Sequence, residues 1–217
     1  MKGDIIDIRD EYFVTAKELY AILKDKILKS SKFVIAIAGE SGSGKSVSAT
    51  TFSHELSRHK IANCIIHMDD YFILPPLTNH KNRIKSLKNV GRHEVRLHLL
   101  QETIDDFKAN IQSVSKPLVD YNEDIIGSEE LHFQDTKVLL VEGTYVASLK
   151  GIDVLIFMER TYKETFENRK QRNRDEASVF IEKVLEIEHK IISKDKELCH
   201  IIIDKNYRTI IYKPFEV

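Results

Sequence analysis

Cysteine is scarce. The 217 residues hold two, Cys64 and Cys199, each in an apolar run and without metal-ligand spacing around it. This excludes a disulfide framework and a zinc ribbon, and leaves two buried, reduced thiols as the expectation. Net charge is nearly absent: 33 basic against 34 acidic residues give −1. The chain therefore has no global footprint for nucleic acid or a membrane surface. No apolar run approaches the ~18 residues of a membrane span, and the opening MKGDIIDIRDEYF is too charged for a secretory signal. A cytoplasmic protein with neither nucleic acid nor membrane as partner is expected. Repeats and low-complexity tracts are also missing. A length of 217 residues suits one sizeable α/β domain rather than two independent ones.

Against that background residues 39–46 stand out. They read GESGSGKS and satisfy G-x-x-x-x-G-K-[ST] at every fixed position. The flanks agree. Residues 33–38 (FVIAIA) are wholly apolar and read as a buried parallel strand. Residues 47–59 have helical spacing, with Val47, Ala49, Phe52 and Leu56 on one side. Strand, glycine loop and helix together cradle a triphosphate. Glycines let the backbone approach the phosphates, and successive N–H groups form an anion-binding concavity at the positive end of a helix. The expected nucleotide contacts are Gly39, Ser41, Gly42, Ser43, Gly44, Lys45, Ser46 and Val47. Lys45 is assigned to the β- and γ-phosphates, and the Ser46 hydroxyl to Mg²⁺. ATP and Mg²⁺ are the expected cofactors.

Elsewhere strands alternate with helices. Residues 4–9 alternate weakly, as a short edge strand. Residues 12–29 form an amphipathic helix with Phe13, Ala16, Leu19, Tyr20, Leu23 and Ile27 on one face. Further strands are expected at 62–67, 137–141, 152–158, 200–203 and 209–212. Helices are expected at 94–111, 161–173 and 177–198, a hairpin around Gly127 within 117–133, and an irregular stretch over 73–91. This alternation argues for a parallel sheet covered on both faces, whose ligands bind beyond the carboxyl ends of the strands.

Acidic residues end two of those strands. Asp69 and Asp70 follow the second, and Glu142 follows KVLLV. Phosphoryl transfer needs a metal across the β and γ oxygens, and gains from a carboxylate that takes the proton of the attacking hydroxyl. One acid beside the acceptor and one beside the metal meet both needs. A helix N-cap is the competing role for Asp69 or Asp70, and a salt bridge for Glu142.

Together these segments resemble the uridine kinases and their relatives, a group that includes nicotinamide riboside kinase, phosphoribulokinase and the P-loop pantothenate kinases. The order is GESGSGKS, MDDYF, KPLVDY, VLLVEGTY, the basic NRKQRNRD and CHIIIDKNY, over about residues 33–207. The resemblance implies an α/β fold, the P-loop NTPase three-layer sandwich with a mostly parallel central sheet and a helical lid. It implies an ATP- and Mg²⁺-dependent kinase acting on a small-molecule hydroxyl, of a nucleoside or a related ribose or polyol. Asp69 matches the catalytic base, which lies near the metal and the acceptor. Ser46 and Glu142 complete the Mg²⁺ site, and Arg169, Arg172 and Arg174 fall in the lid that closes on the transferring phosphate. The kinase domain would span 31–217, with an acceptor-side insertion at about 73–133 and a lid at about 168–178, and residues 1–30 would pack on it as an extension. Such kinases are often dimers or tetramers, so a homo-oligomer is in keeping.

The acceptor side departs from uridine kinases. KSLKNVGRHEVRLHLL stands where those enzymes have an FDHPDAFD-like segment, and KPLVDYNEDIIGSEEL has no histidine or arginine in place where their PxYDFxxHxR-like segment holds the nucleoside. Tyr71, Glu94, Asp120 and Tyr121 are the candidate acceptor contacts. Residues 80–98 also carry Lys81, Arg83, Lys85, Lys88, Arg92 and Arg96. That basic cover suits an anionic acceptor or a solvent-facing loop. Two other readings stay open: a nucleotide-dependent switch that hydrolyses slowly, and a kinase paralogue that has lost its acceptor site.

Overall fold

β1 (Phe33–Gly39) is buried at every position, which is why its sequence shows no polar alternation. A strand covered on both faces takes an apolar run. The computed structural model, which describes residues 9–165 and 179–214, places β1 inside a six-stranded sheet. The other strands are β2 (Asn63–His67), β5 (Val138–Gly143), β6 (Val154–Met158), β7 (Ile201–Ile203) and β8 (Thr209–Ile211), in the order β2-β5-β1-β6-β7-β8. All pairs are parallel except β7 with the edge strand β8. A separate antiparallel hairpin joins β3 (Ser113–Asp120) to β4 (Ile125–His132). The expected α/β class with a mostly parallel sheet is the observed one.

Side-chain alternation along the strands assigns the two faces. Ile35, Ile37, Leu140 and Ile156 meet α1 (Asp10–Lys29) and α2 (Lys45–Arg58), through Leu19, Leu23, Ile27, Phe52 and Leu56. Ala36, Leu139, Val141, Leu155 and Ile202 meet α4 (Leu97–Lys108) and the end of α5 (Val179–Ile192), through Leu100, Ile104, Phe107 and Ile192. Each large aliphatic side chain fully buried this way contributes about 1.5–3 kcal/mol. α1 starts earlier than its spacing suggested. Its buried stripe includes Tyr12, whereas Phe13, expected on that stripe, is exposed. Cys199 is buried, but Cys64 only partly so.

Other boundaries moved for local reasons. The stretch 73–91, expected to be irregular, contains α3 (Pro76–Lys85), with only Asn79 buried. An almost wholly polar helix leaves no periodicity to detect. Its start is fixed by Pro76 in the first turn and by Asp124, which accepts from Leu77 N, Thr78 N and Thr78 Oγ1. The hairpin does not turn at Gly127, which pairs with Leu118 inside β4. It turns just after Asp120, whose carboxylate accepts from Asn122 N and Glu123 N. The helix expected at 177–198 is α5 followed by a 3₁₀ segment, Ser193–Leu198. The strand at 4–8 and the lid at 168–178 lie outside the described residues.

Asp70 attaches the hairpin to the sheet. Fully buried, it accepts from Lys116 Nζ at 2.8 Å and Val119 N at 3.0 Å. Neither an N-cap nor a catalytic acid, it is half of an internal ion pair. Removing one partner of such a pair strands the other charge, at a cost of about 3–5 kcal/mol. Lys116→Met should lower stability by that order in urea unfolding; a loss under about 1 kcal/mol would mean that Asp70 finds another partner.

Candidate active site

The carboxyl ends of β1, β2 and β5 bring the charged groups together. β1 stops at Gly39, residues 40–44 turn, and Lys45 opens α2. Gly44 caps α2 with φ 101°, a backbone that other residues rarely adopt. A Cβ there would also collide with the Tyr12 hydroxyl. Tyr12 Oη bonds to Tyr207 Oη at 2.9 Å, Thr15 Oγ1 donates to the Tyr207 carbonyl, and Arg160 donates to the same phenol. α1 thus leans a tyrosine on the phosphate loop. The first-turn N–H groups of α2 have no partner within the helix. Ser43 Oγ is buried without a hydrogen-bond partner among the described residues. Both are what a loop shaped for phosphate oxygens would show. Val47 faces the core, so only its backbone is available to a nucleotide.

Lys45 is 9% exposed and donates to the Glu40 carbonyl at 2.9 Å. Glu40 itself is held by partners beyond the loop. Its carboxylate accepts from Tyr162 N at 2.6 Å and pairs with His189 Nδ1 at 2.6 Å. The loop is thereby tied to α5.

Glu142 ends β5 beside His67 of β2 and Ile37 of β1. Ser46 donates to its Oε1 at 3.2 Å, and His67 Nδ1 meets the same oxygen at 2.7 Å. Burial pushes the Glu142 carboxyl up, but the His67 hydrogen bond and charge, with Lys45 and Ser46, hold it below the usual range. For His67, burial pulls down and Glu142 outweighs it, so its pKa is raised. The pair is an ion pair near neutrality. Both hydrogen bonds fall on Oε1, and Glu142 Oε2 takes none among the described residues. Hard oxygen from a serine, a carboxylate and nucleotide phosphates is the donor set Mg²⁺ prefers. The residues fit that ion. A cluster of three or more acidic, histidine or cysteine ligands is absent from the described residues, and a nucleotide-bound Mg²⁺ does not need one.

Asp69 lies in the 3₁₀ turn Met68–Tyr71 directly after β2. It is half-buried, while Asp70 beside it points into the protein. A Cβ on Gly143 would overlap Met68, so the small residue of the VEG segment lets this turn approach β5.

The expected acceptor contacts lie on neighbouring segments, with Arg96 N on the Tyr71 carbonyl and Val119 N on Asp70, but their side chains are engaged within the protein. The Tyr71 ring is core, and its hydroxyl meets Thr103 Oγ1 at 3.0 Å. Glu94 is saturated: Arg83 grips both oxygens at 2.6 and 2.9 Å, and Asn79 Nδ2 and Gly91 N also donate to it. Asp120 and Tyr121 sit at the hairpin turn, and Asp120 shapes it. The arginines of the basic segment are engaged within the protein. Arg83 serves Glu94 and Glu188, Arg92 forks onto Asp195, and Arg96 donates to the Phe72 and Ile73 carbonyls. Arg169, Arg172 and Arg174 lie outside the described residues. Sequence reasoning missed His67, Glu40, Tyr145, Glu188 and His189. Glu40 and Tyr145 lie inside GESGSGKS and VLLVEGTY and His67 directly precedes MDDYF, whereas Glu188 and His189 carried no motif signal.

No helix among the described residues is long and apolar enough to cross a membrane. Comparison with known proteins agrees with this geometry. Residues 34–196 match the sequence model of the phosphoribulokinase / uridine kinase family. The bifunctional α-galactosidase/sucrose kinase AgaSK of Mediterraneibacter gnavus is 30% identical over 190 residues, which is 81% of this chain and 20% of that protein. The uridine kinase of Pasteurella multocida (strain Pm70) is 30% identical over 164 residues, 72% of this chain and 74% of that one. The solved phosphoribulokinase of Rhodobacter spheroides superposes with a TM-score of 0.63 at 11% identity, covering 80% of this chain and 70% of that one, a likeness of fold alone. With its phosphate loop, its Glu142 and the turn after β2 in the family's order, the chain belongs to the phosphoribulokinase / uridine kinase family, a family of small-molecule kinases.

Proposed function

We propose that the chain transfers the γ-phosphoryl group of ATP, with Mg²⁺, to a hydroxyl of a small polyol such as a ribose-bearing molecule or a sugar. The observation that carries this reading is the 3.2 Å contact between Ser46 and Glu142. It sets a hydroxyl and a carboxylate side by side, next in sequence to the phosphate-loop lysine. Ser46, Glu142 and Asp69 would hold the cation, which would supply positive charge against the phosphates.

In this reading the loop amides and Lys45 hold the phosphates and spread the developing charge. Asp69 accepts a hydrogen bond from the acceptor hydroxyl. It takes that proton as the new O–P bond forms and the bond to the ADP oxygen breaks. His67 fixes the Glu142 carboxylate and keeps it ionised. Arg169, Arg172 and Arg174 are assigned to the transferring phosphate. Sucrose and uridine, the acceptors in the relatives' names, are both hydroxyl-rich, which supports a polyol.

The test is ADP release from the full chain with ATP and Mg²⁺, with and without a panel of alcohols. At least one polyol should accelerate release well above the acceptor-free rate. Equal rates with every alcohol, while ATP still binds, would sink the reading and favour a switch.

A further inference from the structure

The second position of G-x-x-x-x-G-K-[ST] is open to any residue, and here it holds Glu40. Glu40 is 5% exposed. A carboxylate buried to that degree is costly unless donors meet it, and both of its oxygens are met. Tyr162 N donates to Oε2 at 2.6 Å, and His189 Nδ1 meets Oε1 at 2.6 Å. A carboxylate only accepts, so His189 is the donor there. Hydrogen bonds to an ionised acceptor are the strong ones.

These partners come from outside the loop. Tyr162 and Thr165 follow β6, and His189 lies on α5. The Tyr162 ring packs with Ile181 and Leu185 of α5, and lies 5.8 Å from the His189 ring. Thr165, fully buried, donates from Oγ1 to the Ser41 carbonyl at 3.0 Å. Two consecutive loop residues are therefore fixed by the segment after β6 and by α5. What the first of them carries bears on the chemistry. The Glu40 carbonyl accepts from Lys45 Nζ at 2.9 Å and from Ser43 N at 3.1 Å. One residue thus joins an outside anchor, through its side chain, to the loop turn and its lysine, through its carbonyl.

We propose that Glu40 is a positioning residue for nucleotide binding: its carboxylate, secured by His189 and Tyr162 N, sets the carbonyl that carries Lys45 and so holds the loop in the form that receives phosphates. The inference rests on the nucleotide-binding part of the kinase reading. A loop released from this anchor has to be reordered by the nucleotide itself. Its apparent Kd then rises as the competent fraction of the loop falls.

The test is a calorimetric titration of the full chain with ATP and Mg²⁺, which needs no acceptor. His189→Ala should raise the Kd for ATP about tenfold, the effect of a competent fraction cut to about a tenth. His189→Asn should restore most of that affinity, because its amide nitrogen can take the place of the ring Nδ1. Alanine is the better helix former, so a role confined to the stability of α5 predicts the opposite order. The His189 side chain is 38% exposed, so neither variant opens the core. Glu40→Ala should weaken ATP binding as His189→Ala does, and the double variant no further than the weaker single one. Unchanged affinity in His189→Ala overturns the inference. So does an asparagine variant that binds no tighter than the alanine one, or losses that multiply in the double variant. Affinities that merely follow the melting temperatures of the variants mark a structural role and overturn it too. A wild-type chain that binds no ATP removes the phosphate-loop reading along with this inference. Transfer to no alcohol, with the expected ATP affinities observed, sinks the kinase reading and supports this inference.

Discussion

Lys45→Ala should lower kcat/KM by about 10²–10³-fold, the scale for removing one preorganised charge from a water-excluded site. The ammonium is 9% exposed, so little solvent screens it. Its field depresses both Glu142 and Glu188, and its removal will let both carboxyls rise. The loss should appear in nucleotide affinity and in turnover, because a point charge on the β and γ oxygens serves ground state and transition state alike. The fold should survive, since the ammonium's one described hydrogen bond goes to the carbonyl of its own loop. Steady-state kinetics with a nucleotide-binding titration and a melting curve will separate these effects. Turnover near wild type would remove the phosphate loop from the mechanism.

Asp69→Asn should cost about 10²–10⁴-fold in kcat, the usual worth of general-base assistance, with the KM for ATP little changed. The neighbour provides an internal control. Asp70 differs by one position, yet it is fully buried and bound to Lys116 and Val119 N. Asp70→Asn should therefore act on stability, and Asp69→Asn on rate. If the two substitutions exchange those signatures, the base is not Asp69. If both leave kcat untouched, deprotonation of the acceptor does not limit turnover.

The parts of the molecule legible in the sequence were those where a local rule and the tertiary demand coincide. GESGSGKS needs its glycines wherever it occurs. Apolar β1 and β5 admit no other reading than buried strands, and Val47, Ala49, Phe52 and Leu56 of α2 all face the core. What stayed illegible was set by partners distant in sequence. α3 carries almost no buried face, and its start is fixed by Asp124, 46 residues on from Thr78. Asp69 and Asp70 are the same residue type in adjacent positions; Lys116, 46 residues on, and Val119 N hold Asp70 inside the protein. Glu94 looked like an acceptor ligand because Arg83 and Asn79, which saturate it, cannot be paired with it by spacing alone. Tyr145 reads as one more aromatic in a strand-end turn until its hydroxyl is found without a partner among the described residues.

The tyrosine that α1 rests on Gly44 ties the phosphate loop to segments outside the family match. Family resemblance runs from residue 34 to residue 196, yet Tyr12 lies before that span and its anchor Tyr207 after it. A fragment trimmed to the matching residues would keep the phosphate loop, MDDYF and VLLVEGTY and lose the two aromatic rings that prop the loop from behind. Ancestry therefore marks out a shorter stretch of chain than the chemistry depends on.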